Sequence, residues 1–316
     1  MARTRRLQSD PLIFFTALGF VLVFVAATLA FGDQARQTYA DISGWLMDHF
    51  TWLYIGGVSA TLVFLICIFV SRYGNLRLGD DDDEPEYSYP VWFAMLFAAG
   101  MGATLMFWGA AEPLNHAYNP PRGGYDSMSR DAIIQAFEFT YYHFGIHMWV
   151  IFTLPGLAVG YFVYKRKMPA RMSSMFAPLL GGKVYETPGK LLDALGIIGT
   201  VFGLAVSVGL GVLQISAGMN ILWDVPLVTP VQIAIICGIT IAASISVATG
   251  LDKGVKILSN LNIAGTIGLM IFVLVTGPTL KLLGQITESF GIYAQSLPEL
   301  MFWVDSYNDN PGWHAT

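Results

Sequence analysis

Charge is what this sequence has least of. Asp, Glu, Lys and Arg make up 12% of its 316 residues against 54% hydrophobic ones, and mean hydropathy is +0.56. Soluble domains carry about 25% charged residues, so a soluble globular fold is excluded and the chain falls among integral membrane proteins. Cysteine is as scarce. Cys67 and Cys237 both lie in apolar stretches, which leaves no disulfide framework and no thiolate metal site. Basic residues number only 17 against 22 acidic ones, a net charge of -5 that points to no nucleic-acid partner. Part of the acidic excess is one run, Asp80 to Glu84 with Glu86, which reads as a solvated loop.

What is present is long apolar sequence. Seven segments are long and apolar enough to span a bilayer, at about 11–31, 53–71, 90–116, 132–161, 191–221, 230–249 and 259–283. The opening Met-Ala-Arg-Thr-Arg-Arg imitates a signal peptide, but Pro11 to Phe31 is too long for the apolar core of one and has the length of a span. With the N-terminus on the cytoplasmic side, 13 of the 17 Lys and Arg fall on that side, among them Arg3, Arg5, Arg6, Arg72, Arg77, Lys165, Lys167, Lys253 and Lys256. The positive-inside rule therefore predicts seven spans with the N-terminus in and the C-terminus out, and the expected location is the cell inner (plasma) membrane. After the seventh span, Phe290, Tyr293, Leu297, Leu300 and Val304 recur at helical spacing among polar residues, which predicts an amphipathic surface helix. The chain ends in a loop-like Asn310-Pro-Gly-Trp-His-Ala-Thr316.

The third span carries the first chemical signal. Gly100, Gly102 and Gly109 weaken the helix in mid-membrane, and an unwound stretch there presents main-chain N–H and C=O groups to a ligand or ion. Glycines also serve close helix packing. Glu112, beside Pro113, is expected to cap the outer helix end or to pair locally. The fourth span is dense in aromatics, including Phe144, Trp149 and Phe152. A quaternary ammonium group, which donates no hydrogen bond, binds aromatic faces at about 0.5–2 kcal/mol per well-placed ring, although most aromatics in membrane helices serve packing or interface anchoring. His143 and His147 share a face at i, i+4, but with no third ligand at useful spacing they read as helix–helix hydrogen-bonders. In the fifth span, rich in small residues, Thr200 and Ser207 offer hydroxyls of the kind Na⁺ takes, with back-bonding to the helix as the commoner fate.

Several motifs, in order along nearly the whole chain, carry a resemblance. They are Gly-Met-Gly102 followed by Met106-Phe-Trp-Gly-Ala-Ala-Glu-Pro-Leu114, His143-Phe-Gly-Ile-His-Met-Trp149, Gly199-Thr-Val-Phe-Gly203, Gly209-Leu-Gly-Val-Leu-Gln214 and Leu258-Ser-Asn-Leu-Asn262. Together they resemble the betaine/choline/carnitine transporter family. The resemblance implies a non-enzymatic, all-α integral membrane protein with a LeuT-like fold of two inverted five-helix repeats. Residues 1–89 would hold the tail, two leading helices and the acidic loop, 90–283 the first repeat, and 284–316 the outer helix and loop, the second repeat being absent. It implies a substrate carboxylate at Ala99, Met101, Gly102, Ala103 and Thr104, and a trimethylammonium group boxed by Phe144, Trp149 and Phe152. Backbone carbonyls of Ala98 and Met101 match part of one Na⁺ site and Thr200 part of another. No cofactor beyond the coupling ion is expected.

The sequence departs from the family pattern at three places. Thr104 stands where Na⁺-coupled betaine members have Gly, and Phe144 and Phe152 stand where Trp and Tyr are usual. Leu204 replaces a second hydroxyl of the Thr200 site, which brings in single-Na⁺ or proton coupling. The function expected is ion-coupled symport of quaternary ammonium compatible solutes (betaine, choline, carnitine) or sulfonium analogues, serving osmoprotection. The family adds membrane lipid and a homotrimer as partners. A non-transporting fragment or assembly partner is the alternative reading, with a seven-helix receptor or channel behind it.

Overall fold

The computed structural model describes residues 10–100, 102–250, 254–304 and 306, with the side chains of Ala99 and Ala103 left out. Arg3, Arg5, Arg6, Lys253 and the 310–316 loop lie outside the described residues. Among the described residues the regular structure is helical: α1 (Pro11–Phe31), α2 (Asp33–Val70), α3 (Tyr89–Gly100), α4 (Ala103–Tyr118), α5 (Arg130–Phe144), α6 (Ile146–Gly160), two single turns α7 (Met172–Met175) and α8 (Ala177–Leu180), α9 (Thr187–Trp223), α10 (Thr229–Thr249), α11 (Lys256–Thr276) and α12 (Thr279–Leu300). Among the described residues six stretches are long and apolar enough to cross a membrane, with α5 and α6 counted as one, and the apolar α3 is shorter. The protein is a multi-pass, all-α membrane protein. In hydrocarbon only a structure that satisfies its own main chain survives, and helices do so locally.

The helix ends follow from their sequences. Asp10 caps α1, its carboxylate accepting from the N–H groups of Leu12 (3.0 Å) and Ile13 (3.4 Å), with Pro11 in the first turn. Gly32, at φ +47°, turns the chain directly into α2. Ser129 caps α5 by accepting from the Ala132 N–H at 3.2 Å. Along the spans, threonines are kept by back-bonds to the carbonyl four residues earlier, as at Thr153, Thr266 and Thr276. Large apolar side chains are broadly exposed, Phe15, Phe69, Ile221 and Met270 among them, and α10 buries nothing. Lipid tails are the solvent such a surface suits.

Three features differ from the sequence expectation. The second span, expected at 53–71, extends back to Asp33 as one 38-residue helix. The fourth span is divided at Gly145, and the amphipathic helix α12 begins at Thr279, shortly after Gly277 ends α11. The third span is divided into α3 and α4 at the Gly-Met-Gly stretch, the interruption that its glycines predict.

The chain forms two compact units. One comprises the described residues of Met1–Asp83, His147–Gly203 and Met301–Thr316. Inside it α1 meets α2 through Phe24 stacked on Tyr39 (ring centroids 5.0 Å apart) and the Thr28–Tyr39 hydroxyl pair at 3.0 Å. The acidic loop is held to the end of the fourth span by Lys165–Asp81 at 2.9 Å and Lys167–Asp80 at 2.8 Å. The Lys165 ammonium holds the Asp81 carboxyl below the usual carboxylate range, and Asp80 raises the Lys167 ammonium. Asp193, buried, accepts from Ser173 N–H (2.7 Å) and Oγ (3.1 Å), fixing the α7 turn against α9.

The other unit is Glu84–Ile146 with Leu204–Leu300. Here α5 is sandwiched between α4 and α12, and α3 packs on α11. Arg122 organises the loop after α4. Its guanidinium pairs with Glu138 (3.5 Å) and Glu299 (3.2 Å) and lies 5.7 Å from the Phe139 ring centroid. Glu138 is 6% exposed, and Arg122 supplies the charge that a buried carboxylate needs.

Candidate functional site

The break in the third span puts two helix ends at mid-span. Gly102 leaves the helical region (φ -89°, ψ -165°) and starts α4, and no side chain caps that start. The first N–H groups of α4 therefore face outward at the positive end of a helix dipole, an arrangement that favours an anion. The C-terminal turn of α3, with Ala98 in it, ends in carbonyls that favour a cation. Neither crowding nor dihedral strain demands glycine at position 102: an added Cβ would meet nothing within 4 Å, and its φ suits any residue. What glycine provides there is open main chain.

Thr104, two residues into α4, does not point idly into that opening. Its Oγ1 lies 3.2 Å from Ser207 Oγ on α9, a neutral hydroxyl pair fastening the start of α4 to a neighbouring span. Thr200 donates to the Gly196 carbonyl at 2.8 Å, the back-bond fate, and keeps its oxygen lone pairs. Leu204, one turn on, offers no oxygen.

Of the residues named from sequence, Gly102, Thr104, Phe144 and Ala98 fall in the unit that holds α3, α4 and α5. Trp149, Phe152 and Thr200 fall in the other, where the Trp149 and Phe152 rings are paired with centroids 6.1 Å apart. Phe144 ends α5 and is half-buried, and Phe152 is exposed. Met101 and the side chains of Ala99 and Ala103 lie outside the described residues.

Sequence reading missed one cluster. Glu112 and His116 stand at i, i+4 on one face of α4, and His143 reaches the same carboxylate from α5. Glu112 Oε1 lies 3.3 Å from His116 Nε2 and 2.5 Å from His143 Nδ1. His116 is 1% exposed and Glu112 is 7% exposed. A Glu-x-x-x-His pair facing a histidine of the next helix was the available signal. Spacing along the fourth span pairs His143 with His147 instead, which shares its helix face.

Comparison with known proteins gives one consistent answer. The family model for BCCT, the betaine/carnitine/choline family transporter, matches residues 12–316. Over 309 residues, 98% of this chain, the sequence is 62% identical to an ectoine/glycine betaine/proline transporter, EctP, of Corynebacterium glutamicum, and covers 50% of that protein. It is 36% identical to the osmo-dependent choline transporter BetT2 of Acinetobacter baylyi, with 96% of this chain and 44% of the relative covered. It is 37% identical to the high-affinity choline transport protein of Escherichia coli K12, with 90% of this chain and 42% of the relative covered. The chain thus spans about half the length of the curated relatives it matches. The family is one of transporters and not of enzymes. A family match over residues 12–316, on a helical membrane fold, identifies the chain as a member of the betaine/carnitine/choline transporter family.

Proposed function

We propose that this chain supplies the first-repeat half of an ion-coupled secondary transporter for compatible solutes that carry both a carboxylate and a cationic nitrogen or sulfur. The observation that carries the reading is the break at Gly102, with its uncapped helix start and open surroundings. A helix N-terminus attracts a carboxylate and repels a simple cation. Betaine, carnitine, ectoine and proline have that carboxylate and choline does not, so the site favours the first group. This agrees with the solutes named for the 62% identical relative. Phe144, Trp149 and Phe152 are proposed to receive the cationic end through their ring faces. The Ala98 and Met101 carbonyls and the Thr200 hydroxyl are proposed as part of the Na⁺ path, with one hydroxyl fewer than usual because of Leu204. The 13 of 17 basic residues on one side favour an inner (plasma) membrane location with the N-terminus cytoplasmic. Homotrimeric assembly is proposed from the family resemblance.

The test is solute binding to purified protein followed by tryptophan fluorescence, paired with radiolabelled uptake into liposomes with and without a Na⁺ gradient. Saturable responses to betaine, ectoine and proline that exceed the response to choline are expected. A choline response stronger than all three would overturn the carboxylate reading.

A further inference from the structure

The Glu112–His116–His143 cluster plays no part in the solute site proposed above, yet it gathers three potential ligands in a chain that has only five histidines. Their ligand atoms all lie within 4.8 Å of one another. We propose that Glu112, His116 and His143 form a binding site for a divalent transition-metal ion of the Zn²⁺ class, which fastens α4 to α5.

Two imidazoles and one carboxylate are a donor set of borderline softness. It suits Zn²⁺ and its first-row neighbours, whereas Mg²⁺ and Ca²⁺ take oxygen. The geometry is close to what such an ion needs. Ligands at about 2.0–2.1 Å around a tetrahedral ion stand about 3.3 Å apart, and His116 Nε2 already lies 3.3 Å from Glu112 Oε1. The His143 Nδ1 contact, at 2.5 Å, must widen by about 0.8 Å, a change within reach of carboxylate rotation. An ion bound between the two atoms would take the place of their hydrogen-bond proton. Binding displaces that proton, and both imidazoles then ligate in their neutral form.

The surroundings hold the ligands in place. Glu112 and His116 are one helical turn apart on a rigid element. The His116 ring packs against the fully buried Phe139 (centroids 6.0 Å) and against His143 (5.8 Å), which limits ring rotation. Access comes from one direction. The His143 side chain is 22% exposed while His116 is 1% exposed, so an ion enters past His143 and takes a water as its fourth ligand on that side. Glu112 lies ten residues beyond the break at Gly102, about 15 Å along the helix axis. The ion would therefore sit near the membrane edge, apart from the solute, and act by restraining the span whose inner end forms the solute site.

Isothermal titration of the purified, chelator-stripped chain in detergent with Zn²⁺ tests this, with melting temperature as a second readout. One saturable site per chain and a melting temperature raised by Zn²⁺ are expected. His143→Gln, at the partly exposed edge of the cluster and so the variant most certain to fold, should weaken binding at least about tenfold. His116→Ala with His143→Ala should remove both the binding and the thermal shift. His49→Ala and His314→Ala should change neither. No saturable binding at about 100 µM Zn²⁺, or binding unchanged in His143→Gln, would overturn the site and leave a hydrogen-bonded triad only.

Discussion

The two interrupted spans break at glycine for opposite reasons. At Gly102 nothing crowds the residue, its dihedrals suit any side chain, and the helix start beyond it is uncapped. At Gly145 an added Cβ would collide with the Tyr141 carbonyl and lie 2.9 Å from the Tyr293 hydroxyl on α12. The second break is filled by protein, and glycine is there because nothing larger fits. The first is left open, and glycine there leaves main chain uncovered, as the proposed solute site requires. Two glycines that look alike in sequence thus separate into a packing position and a candidate binding position only when their neighbours are seen.

That contrast breaks or sharpens under substitution. The largest effect is expected at Gly145→Ala, where overpacking against main chain costs about 1–3 kcal/mol and lowers the melting temperature in detergent. An unchanged melting curve would mean that the Tyr141 and Tyr293 contacts yield freely. Gly102→Ala should do the reverse. Its melting curve should stay within about 0.5 kcal/mol of the parent, while betaine affinity, read by fluorescence titration, falls about tenfold, or about 1.4 kcal/mol. If Gly102→Ala melts early and still binds, the two breaks have exchanged roles.

Ser207→Ala comes next. It removes the partner of Thr104 and should cost about 1 kcal/mol of stability, with Thr104→Ala showing nearly the same loss and the double variant little more. Additive losses would show that the two hydroxyls are not paired.

The smallest effect is expected far from both breaks, at the acidic loop. Because Lys165 lowers the Asp81 pKa, the Asp81–Lys165 tie is at full strength above the ordinary carboxylate value of 3.8 and is lost only as pH falls through the lowered value. Limited proteolysis of loop 76–88 should be insensitive to pH from 5 to 8 and faster in high salt, which screens exposed pairs within about 3 Å at 1 M. Asp81→Asn should reduce the salt response, and Asp80→Asn with Asp81→Asn, which also removes the Lys167 pair, should abolish it. A pH dependence near neutrality would contradict the pairing.

The spans were legible in the sequence because bilayer thickness imposes a length that composition reveals, and the break at Gly102 was legible because glycine loses in the middle of a helix. The polar half of α2 was not legible: the expected span begins at 53, and the segment with Asp33, Arg36, Asp41 and Asp48 lies before it, yet it has no proline and continues the helix of that span. The break at Gly145, inside the expected span 132–161, was not legible, since part of its constraint comes from Tyr293, distant in sequence. The Glu112 cluster escaped for the same reason, its third member arriving from another helix. Residues whose role depends on a partner far along the chain are hidden from one-dimensional spacing, and those answering to the bilayer are not.

The length of α2 has one more consequence. At 1.5 Å per residue its 38 residues run about 57 Å, nearly twice the thickness of a hydrocarbon core. Its apolar half has the length of a span, and its polar half, from Asp33 to about Thr51, is a handle rigidly joined to it. A probe fixed near Asp41 would swing through a wide arc for a slight tilt of the buried half, and one inserted residue between them would turn the handle by about 100°.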